Sequence, residues 1–316
     1  MDRLTIKEFA AALRAGDDYC ILTHRRPDGD TLGSAAALCR GLRALGKRAA
    51  VLGNPQVTEK YAPLLAGLTG SAWQGKDLIA VDVAAADMLA ESACAGEIDL
   101  LLDHHGSNTG LGRRGLICPQ AAATGELVYA LLLELGLPLD KPTAEAIYIA
   151  VSTDTGCFRY ANTTANTLRV AAACLDAGAD SYEINQSIFE TKRLPRLKMD
   201  AYIAEHVELF AGGKLALIAI PREAEAACGV NEDDMESVSA YARNIEGVCL
   251  AVTMRSQADG RTKLSVRSAP SYDSAALCGL FGGGGHRGAA GASLDLPQST
   301  AREKVLEGFR RLGWMP

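Results

Sequence analysis

Three histidines and five aspartates of this chain stand at, or just past, the ends of short apolar runs. The run Tyr19–Thr23 opens into His24-Arg25-Arg26-Pro27-Asp28-Gly29-Asp30. Leu78–Val81 ends at Asp82, and Leu100–Leu102 ends at Asp103-His104-His105. Asp154 follows the apolar stretch Ala146–Val151 within Ser-Thr-Asp-Thr-Gly. One Asp after a strand usually caps a helix, and one histidine is more often structural than a ligand. The recurrence of both types at several strand ends is what points to chemistry. Carboxylates crowded together repel and would have to take up protons unless a cation compensates them. Oxygen-rich ligation with a minority of imidazole suits Mn2+ or Mg2+ better than zinc. The set exceeds the needs of one ion, so the expectation is a pair roughly 3.5–4 Å apart, bridged by a carboxylate. Such a pair activates a water and clamps the attacking and leaving oxygens of a phosphoryl transfer.

The elements that must hold these groups are readable as strands alternating with helices. Tyr19–Thr23, Arg48–Leu52, Leu78–Val83 and Asp99–Asp103 are nearly all apolar, as strands buried on both faces are. Helices are expected over Leu32–Leu45, Ala122–Leu135, Thr143–Ser152 and Thr164–Ala177, with a capping box of Thr5 and Glu8 opening an earlier one. This is the doubly wound, mostly parallel α/β plan, whose ligands bind beyond the carboxyl ends of the strands. From residue 189 the pattern changes: a basic, Pro195-containing segment leads to a helix near 198–210. Strands over Lys214–Ile220, Val248–Arg255 and Lys263–Ser268, a glycine run and a closing helix near 299–311 follow. The organisation expected is a catalytic domain over 1–188, a connector over 189–204 and a smaller α/β domain over 205–316.

With 316 residues, nearly half of them apolar, the chain can bury two cores. Its net charge of −6 argues against long duplex nucleic acid, which is held by many Lys and Arg. No window is apolar enough for a membrane span, the N-terminus lacks a signal-peptide core, and nine scattered cysteines form no C-x-x-C pair. A reducing cytoplasm is the expected location.

The run Gly282-Gly283-Gly284-Gly285-His286 presents backbone N–H groups that no side chain obstructs. A bare glycine run is by default a linker, but it can also nest an anion. Arg267, Arg243 and Arg159 are candidate phosphate partners, because a guanidinium pairs bidentately with phosphate oxygens.

The four acidic motifs together resemble those of the DHH phosphoesterases, and Gly282–His286 resembles the signature of the DHH-associated substrate domain. The resemblance covers nearly the whole chain in five ordered elements, and the layout is most similar to the family's small oligoribonucleases. It implies hydrolysis of short RNA (nanoRNA) or removal of the 3′-phosphate of 3′-phosphoadenosine 5′-phosphate. Cyclic di-AMP or linear di-adenylate hydrolysis, or a non-catalytic nucleotide sensor, are the alternatives. A pyrophosphatase would lack the glycine-histidine run, and a long-strand exonuclease would carry a further domain. The resemblance also implies an allocation of ligands: His24, Asp28 and Asp82 to one ion; Asp30, Asp82, His104 and Asp154 to the other. His105 would meet substrate, and Asp103 would hold a histidine's second nitrogen. Gly283, Gly284, Gly285 and His286 would bind the nucleotide, manganese would be preferred over magnesium, and the chain would form a homodimer.

Overall fold

In a computed structural model of the chain, residues 1–71, 77–90, 97–108, 110–235 and 238–316 are described, and they divide into two compact units, Met1–Thr191 and Lys192–Pro316. The first unit is built on a sheet of β1 (Asp2–Arg3), β2 (Asp18–Leu22), β3 (Arg48–Leu52), β4 (Thr69–Gly70), β5 (Asp77–Val81), β6 (Leu100–Asp103) and β7 (Arg114–Ile117). The strands lie in the order β4-β3-β2-β5-β6-β7-β1, and every pairing is parallel. From β2 the chain winds outward one way through β3 and β4, then returns to β5 and winds the other way. The switch therefore falls between β2 and β5, the two strands that run out into His24 and Asp82.

Helices α1 (Ile6–Ala15), α2 (Gly29–Ala44), α3 (Thr124–Glu134), α4 (Lys141–Asp154), α5 (Ala165–Asp176) and α6 (Ser181–Asn185) complete the unit. The capping box of Thr5 and Glu8 is formed at α1. One core joins α1 to α5 to Ile21, Ile79, Val81 and Leu102 of the sheet. The opposite side chains, including Cys20, Leu22, Ala80 and Leu101, pack with Val83 and Ile98 in a second, smaller core.

Helix α2 begins at Gly29, earlier than the expected Leu32. Asp28 supplies its cap by accepting from the Thr31 N–H at 3.1 Å, so Asp30 lies in the first helical turn rather than in a loop. Helix α4 runs on past its apolar stretch to Asp154 itself. These two helices lie in close contact: a Cβ on Gly33 would stand 2.3 Å from the Ala146 carbonyl oxygen. Only glycine permits that approach, and it brings the acidic ends of the helices together.

The second unit opens with α7 (Leu194–His206), which starts earlier than expected because Pro195 fits the first turn of a helix and does not break it. Then come β8 (Glu208–Phe210), β9 (Leu215–Ile220), α8 (Arg222–Cys228), α9 (Val238–Tyr241), β10 (Leu250–Ser256) and β11 (Thr262–Ser268). Helix α10 (Ser274–Gly279), β12 (Gly284–His286), β13 (Ala289–Leu294) and α11 (Gln298–Arg311) close the chain. The sheet order is β12-β13-β11-β10-β9-β8; β9 and β10 are parallel and the other pairs antiparallel. Its core buries Leu250, Val252, Leu264 and Val266 against Leu277 of α10 and Phe309 of α11. Half of the glycine run, expected as a loop, is an edge strand. Gly284–His286 pair with β13, and Gly283 turns so tightly that a Cβ would stand 2.2 Å from the Gly291 carbonyl oxygen.

Eight of the nine cysteines are described, all as free thiols; Cys94 lies outside the described residues. Among the described residues no helix is long and apolar enough to cross a membrane.

Candidate metal centre

The carboxyl ends of β2, β5 and β6 and the facing ends of α2 and α4 bring His24, Asp28, Asp30, Asp82, His104, His105 and Asp154 into one cluster. Three overlapping trios have ligand atoms within 4.8 Å of one another: His24-Asp28-Asp82, Asp30-His104-Asp154 and Asp82-His104-His105. Asp82 belongs to two of them. Its Oδ2 is 3.8 Å from His24 Nε2 and its Oδ1 is 3.6 Å from His104 Nε2, so one carboxylate presents an oxygen to each side of the cluster. Its backbone is left-handed at φ 59°, an uncommon state for a non-glycine residue.

The imidazoles are oriented by their second nitrogens. His24 Nδ1 is 2.8 Å from the Arg25 carbonyl oxygen and His104 Nδ1 is 3.2 Å from that of Ala121. A donor N–H at Nδ1 leaves the Nε2 lone pair facing the carboxylates, the tautomer a metal ligand requires. His104 Nε2 stands 3.7 Å from Asp30 Oδ2 and 3.2 Å from Asp154 Oδ2.

Asp103 is fully buried and works differently. Its Oδ1 accepts from the His104 backbone N–H at 2.9 Å and pairs with His105 Nδ1 at 2.8 Å; Asn108 donates to Oδ2. Asp103 therefore orients His105, while His104 is oriented by a backbone carbonyl. The hydrogen bond to Asp103 lifts the His105 pKa to about 9 despite partial burial. Burial would raise Asp103, but the bonds from His105 and Asn108 outweigh it and lower its pKa.

Several groups that sequence reasoning passed over hold the carboxylates in place. Asp30 accepts the Thr124 and Gly125 N–H groups at 2.7 and 2.9 Å, so the amino end of α3 faces its charge, and Ser34 Oγ donates at 3.0 Å. Asp82 accepts hydroxyl protons from Thr31 at 2.6 Å and Thr124 at 2.9 Å. Asn162 donates to the carbonyls of Asp154 and Ala122. A threonine or serine near a helix start reads as a cap, so the chain carries no signal of these roles beyond their nearness to the acids.

The electrostatics fit divalent cations. Burial, reinforced by repulsion from neighbouring carboxylates, raises Asp30 well above the ordinary range and raises Asp82. Burial pushes Asp154 to about 6. Asp28, where burial is outweighed by the hydrogen bond and charge of His24, is lowered. Buried carboxylates that repel one another, beside imidazoles presenting lone pairs, form an oxygen-rich donor set for hard cations.

The candidates of the second unit are more dispersed. Gly283, Gly284, Gly285 and Arg267 line an open groove of about 610 Å3. His286 ends β12, exposed, outside that lining. Arg243 is turned back to donate to the Val248 carbonyl and is also outside it. Arg159, in the first unit, donates from Nε to the Gly156 carbonyl at 2.6 Å, just beyond Asp154.

The cluster sits at the switch point of a parallel sheet, where open α/β sheets bind their ligands. Residues 18–151 match the family model "DHH family, N-terminal domain", and residues 223–311 match that of the DHHA1 domain. The chain is 32% identical to the bifunctional oligoribonuclease and PAP phosphatase NrnA of Thermus thermophilus, over 92% of this chain and 88% of that one. To the protein of the same name from Bacillus subtilis it is 27% identical, over 88% and 90%. An exopolyphosphatase-related protein from Bacteroides fragilis shares the fold with a TM-score of 0.87, at 24% identity, over 97% of this chain and 96% of that one. The chain belongs to the DHH family.

Proposed function

We propose that the chain is a two-cation phosphoesterase that trims short oligoribonucleotides and removes the 3′-phosphate of 3′-phosphoadenosine 5′-phosphate. The observation that carries the two-cation reading is the Asp82 carboxylate, with Oδ2 toward His24 and Oδ1 toward His104. His24, Asp28 and Asp82 would hold one cation, and Asp30, Asp82, His104 and Asp154 the other. When bound, the pair supplies an activated water and stabilises charge on the leaving oxygen, and Mn2+ or Mg2+ both suit the donor set. The substrate reading is supported by the likeness to the two relatives named above.

The chain's own groups then have separate tasks. His105, oriented by Asp103 at Nδ1, would meet a phosphate oxygen through Nε2. Arg159 lies close enough along the chain to Asp154 to pair with the same phosphate. Arg267, with the groove that Gly283, Gly284 and Gly285 line, would bind a phosphate of the nucleotide, although the Gly283 N–H itself donates to the Cys278 carbonyl at 2.9 Å. Incubation with Mn2+ and a short RNA, 3′-phosphoadenosine 5′-phosphate, pyrophosphate or cyclic di-AMP ranks the substrates. Turnover of the first two is the expected result. A preference for cyclic di-AMP would replace the substrate reading, and no turnover by demonstrably metal-loaded protein would leave a sensor.

A further inference from the structure

The second unit's sheet is covered unequally. One face packs against α10 and α11 along its length. On the other, Met199 and Ile203 of α7, Val238 of α9 and Ala242 cover Ala216, Ile218 and Ala251 of β9 and β10. Among the described residues, α9 reaches the near edge of β11, and the rest of that second face over β11, β13 and β12 carries no comparable cover. Its residues explain why: Lys263, Ser265 and Arg267 alternate along β11, opposite Ser293, Gly291 and Ala289 of β13. None is a large apolar side chain that would seek a helix. Gly284 extends the row across β12, in register with Gly291.

The result is the 610 Å3 groove, with a floor of Ser265, Ala289, Gly291 and Gly284 and a cationic side chain at each end. Arg267 is at the end where β12 closes with His286 in register with Ala289, and Lys263 is at the other, toward which Gly283 turns beside Ala292. At a strand rise of about 3.3 Å per residue, the two positions stand roughly 13 Å apart along β11. That span exceeds the separation of adjacent phosphates in a single strand and suits two steps of it. A floor without bulky side chains lets ribose and base lie against the strands between the two ends. A cationic groove that tracks a backbone over several nucleotides is a general way to hold single strands.

We infer that the Lys263 end of this groove, with Ser293, is a subsite for a second phosphate, two nucleotides removed from the one held at Arg267. The inference rests on the phosphoesterase reading and adds a length preference to it. A compact substrate such as 3′-phosphoadenosine 5′-phosphate, whose two phosphates flank one nucleoside, cannot reach both ends. A 5′-phosphorylated trinucleotide can, and a tetranucleotide reaches both with one further phosphate left for hydrolysis. Lysine suits the outer position, since a flexible point charge accepts a phosphate whose place varies with the base between.

The test compares wild type with Lys263→Ala and Lys263→Arg in the full chain. On a 5′-phosphorylated tetraribonucleotide, which leaves a phosphate at the cations while two others reach Arg267 and Lys263, Lys263→Ala should lower kcat/KM about tenfold, through KM, and reduce the salt dependence by about one charge. Lys263→Arg should restore most of the loss, and rates on 3′-phosphoadenosine 5′-phosphate should stay within about twofold. Equal kcat/KM of wild type and Lys263→Ala on the tetramer, or an equal loss on both substrates, overturns the subsite. Binding of a labelled triribonucleotide and mononucleotide is measured by anisotropy in chelator, where nothing turns over. If the wild type hydrolyses neither substrate but Lys263→Ala still weakens only trimer binding, the subsite stands and the catalytic reading falls.

Discussion

Replacing Asp154 by Asn in the metal-free protein should make it more stable at neutral pH. The Asp154 carboxyl titrates at about 6 in the folded chain against an ordinary 3.8. The folded state thus holds that proton more tightly than the unfolded state does. The stability this contributes is present in acid, below the unfolded value, and is lost as pH rises through the folded value. Above about pH 7 the cost is complete at roughly 3 kcal/mol, and at about pH 5 it is roughly half that. The side chain is 30% exposed, so water carries part of the charge and a figure of about 2 kcal/mol is the better expectation. For a unit this size that is a rise in Tm of about 4–8 °C at pH 7.5 for Asp154→Asn in chelator, and about half as much near pH 5. Millimolar Mn2+ should raise the wild-type Tm by at least as much near pH 7.5, and the variant's far less, since the ion takes over the proton's role of compensating charge. Scanning calorimetry at both pH values, with chelator and with Mn2+, provides the comparison. A variant less stable than wild type in chelator at neutral pH, or a difference that ignores pH, would refute the reasoning.

Asp103→Asn removes the acceptor that raises His105. In metal-free protein the His105 Cε1–H resonance should titrate near 9 in wild type and fall toward 6.5 in the variant. An unchanged midpoint would mean that other carboxylates set it. Gly33→Ala places a methyl against the Ala146 carbonyl; a loss of about 1–3 kcal/mol in urea unfolding is expected, with lower activity because the helix ends separate. Thr124→Val takes a hydroxyl from Asp82 and should weaken Mn2+ binding by calorimetry about tenfold, with Thr124→Ser restoring it. Equal affinities for the valine and serine variants would assign the residue to packing alone.

The parallel sheet and the positions of Asp82, Asp103, His104 and Asp154 were legible because each buried strand or helix is a short apolar run with an abrupt polar end. The entry into α2 was less so: Asp28, Gly29 and Asp30 read as a loop, although Asp28 is a strong cap and the helix starts at once. Pro195 read as part of a connector, when proline is at home in a helix's first turn. The short strands β1, β4, β8 and β12 hold two or three residues each, too few for alternation to register. Thr31 and Thr124 act across 42 to 94 residues of sequence, and no local pattern encodes which carboxylate a hydroxyl will meet. Ser34 is the exception in distance, bonding within its own helix to Asp30 four residues away.

The contact of α2 with α4 at Gly33 also sets a dimension. Asp30 is carried by the first helix and Asp154 by the second, so their separation is fixed by how closely the two helices approach. A cation coordinated by both must match that gap. Discrimination between a smaller ion and a larger one such as Ca2+ would then be governed by residues along the helix seam, away from the proposed ligands. Swapping ligands would change affinity, while widening the seam by the thickness of a methyl group would change which ion fits.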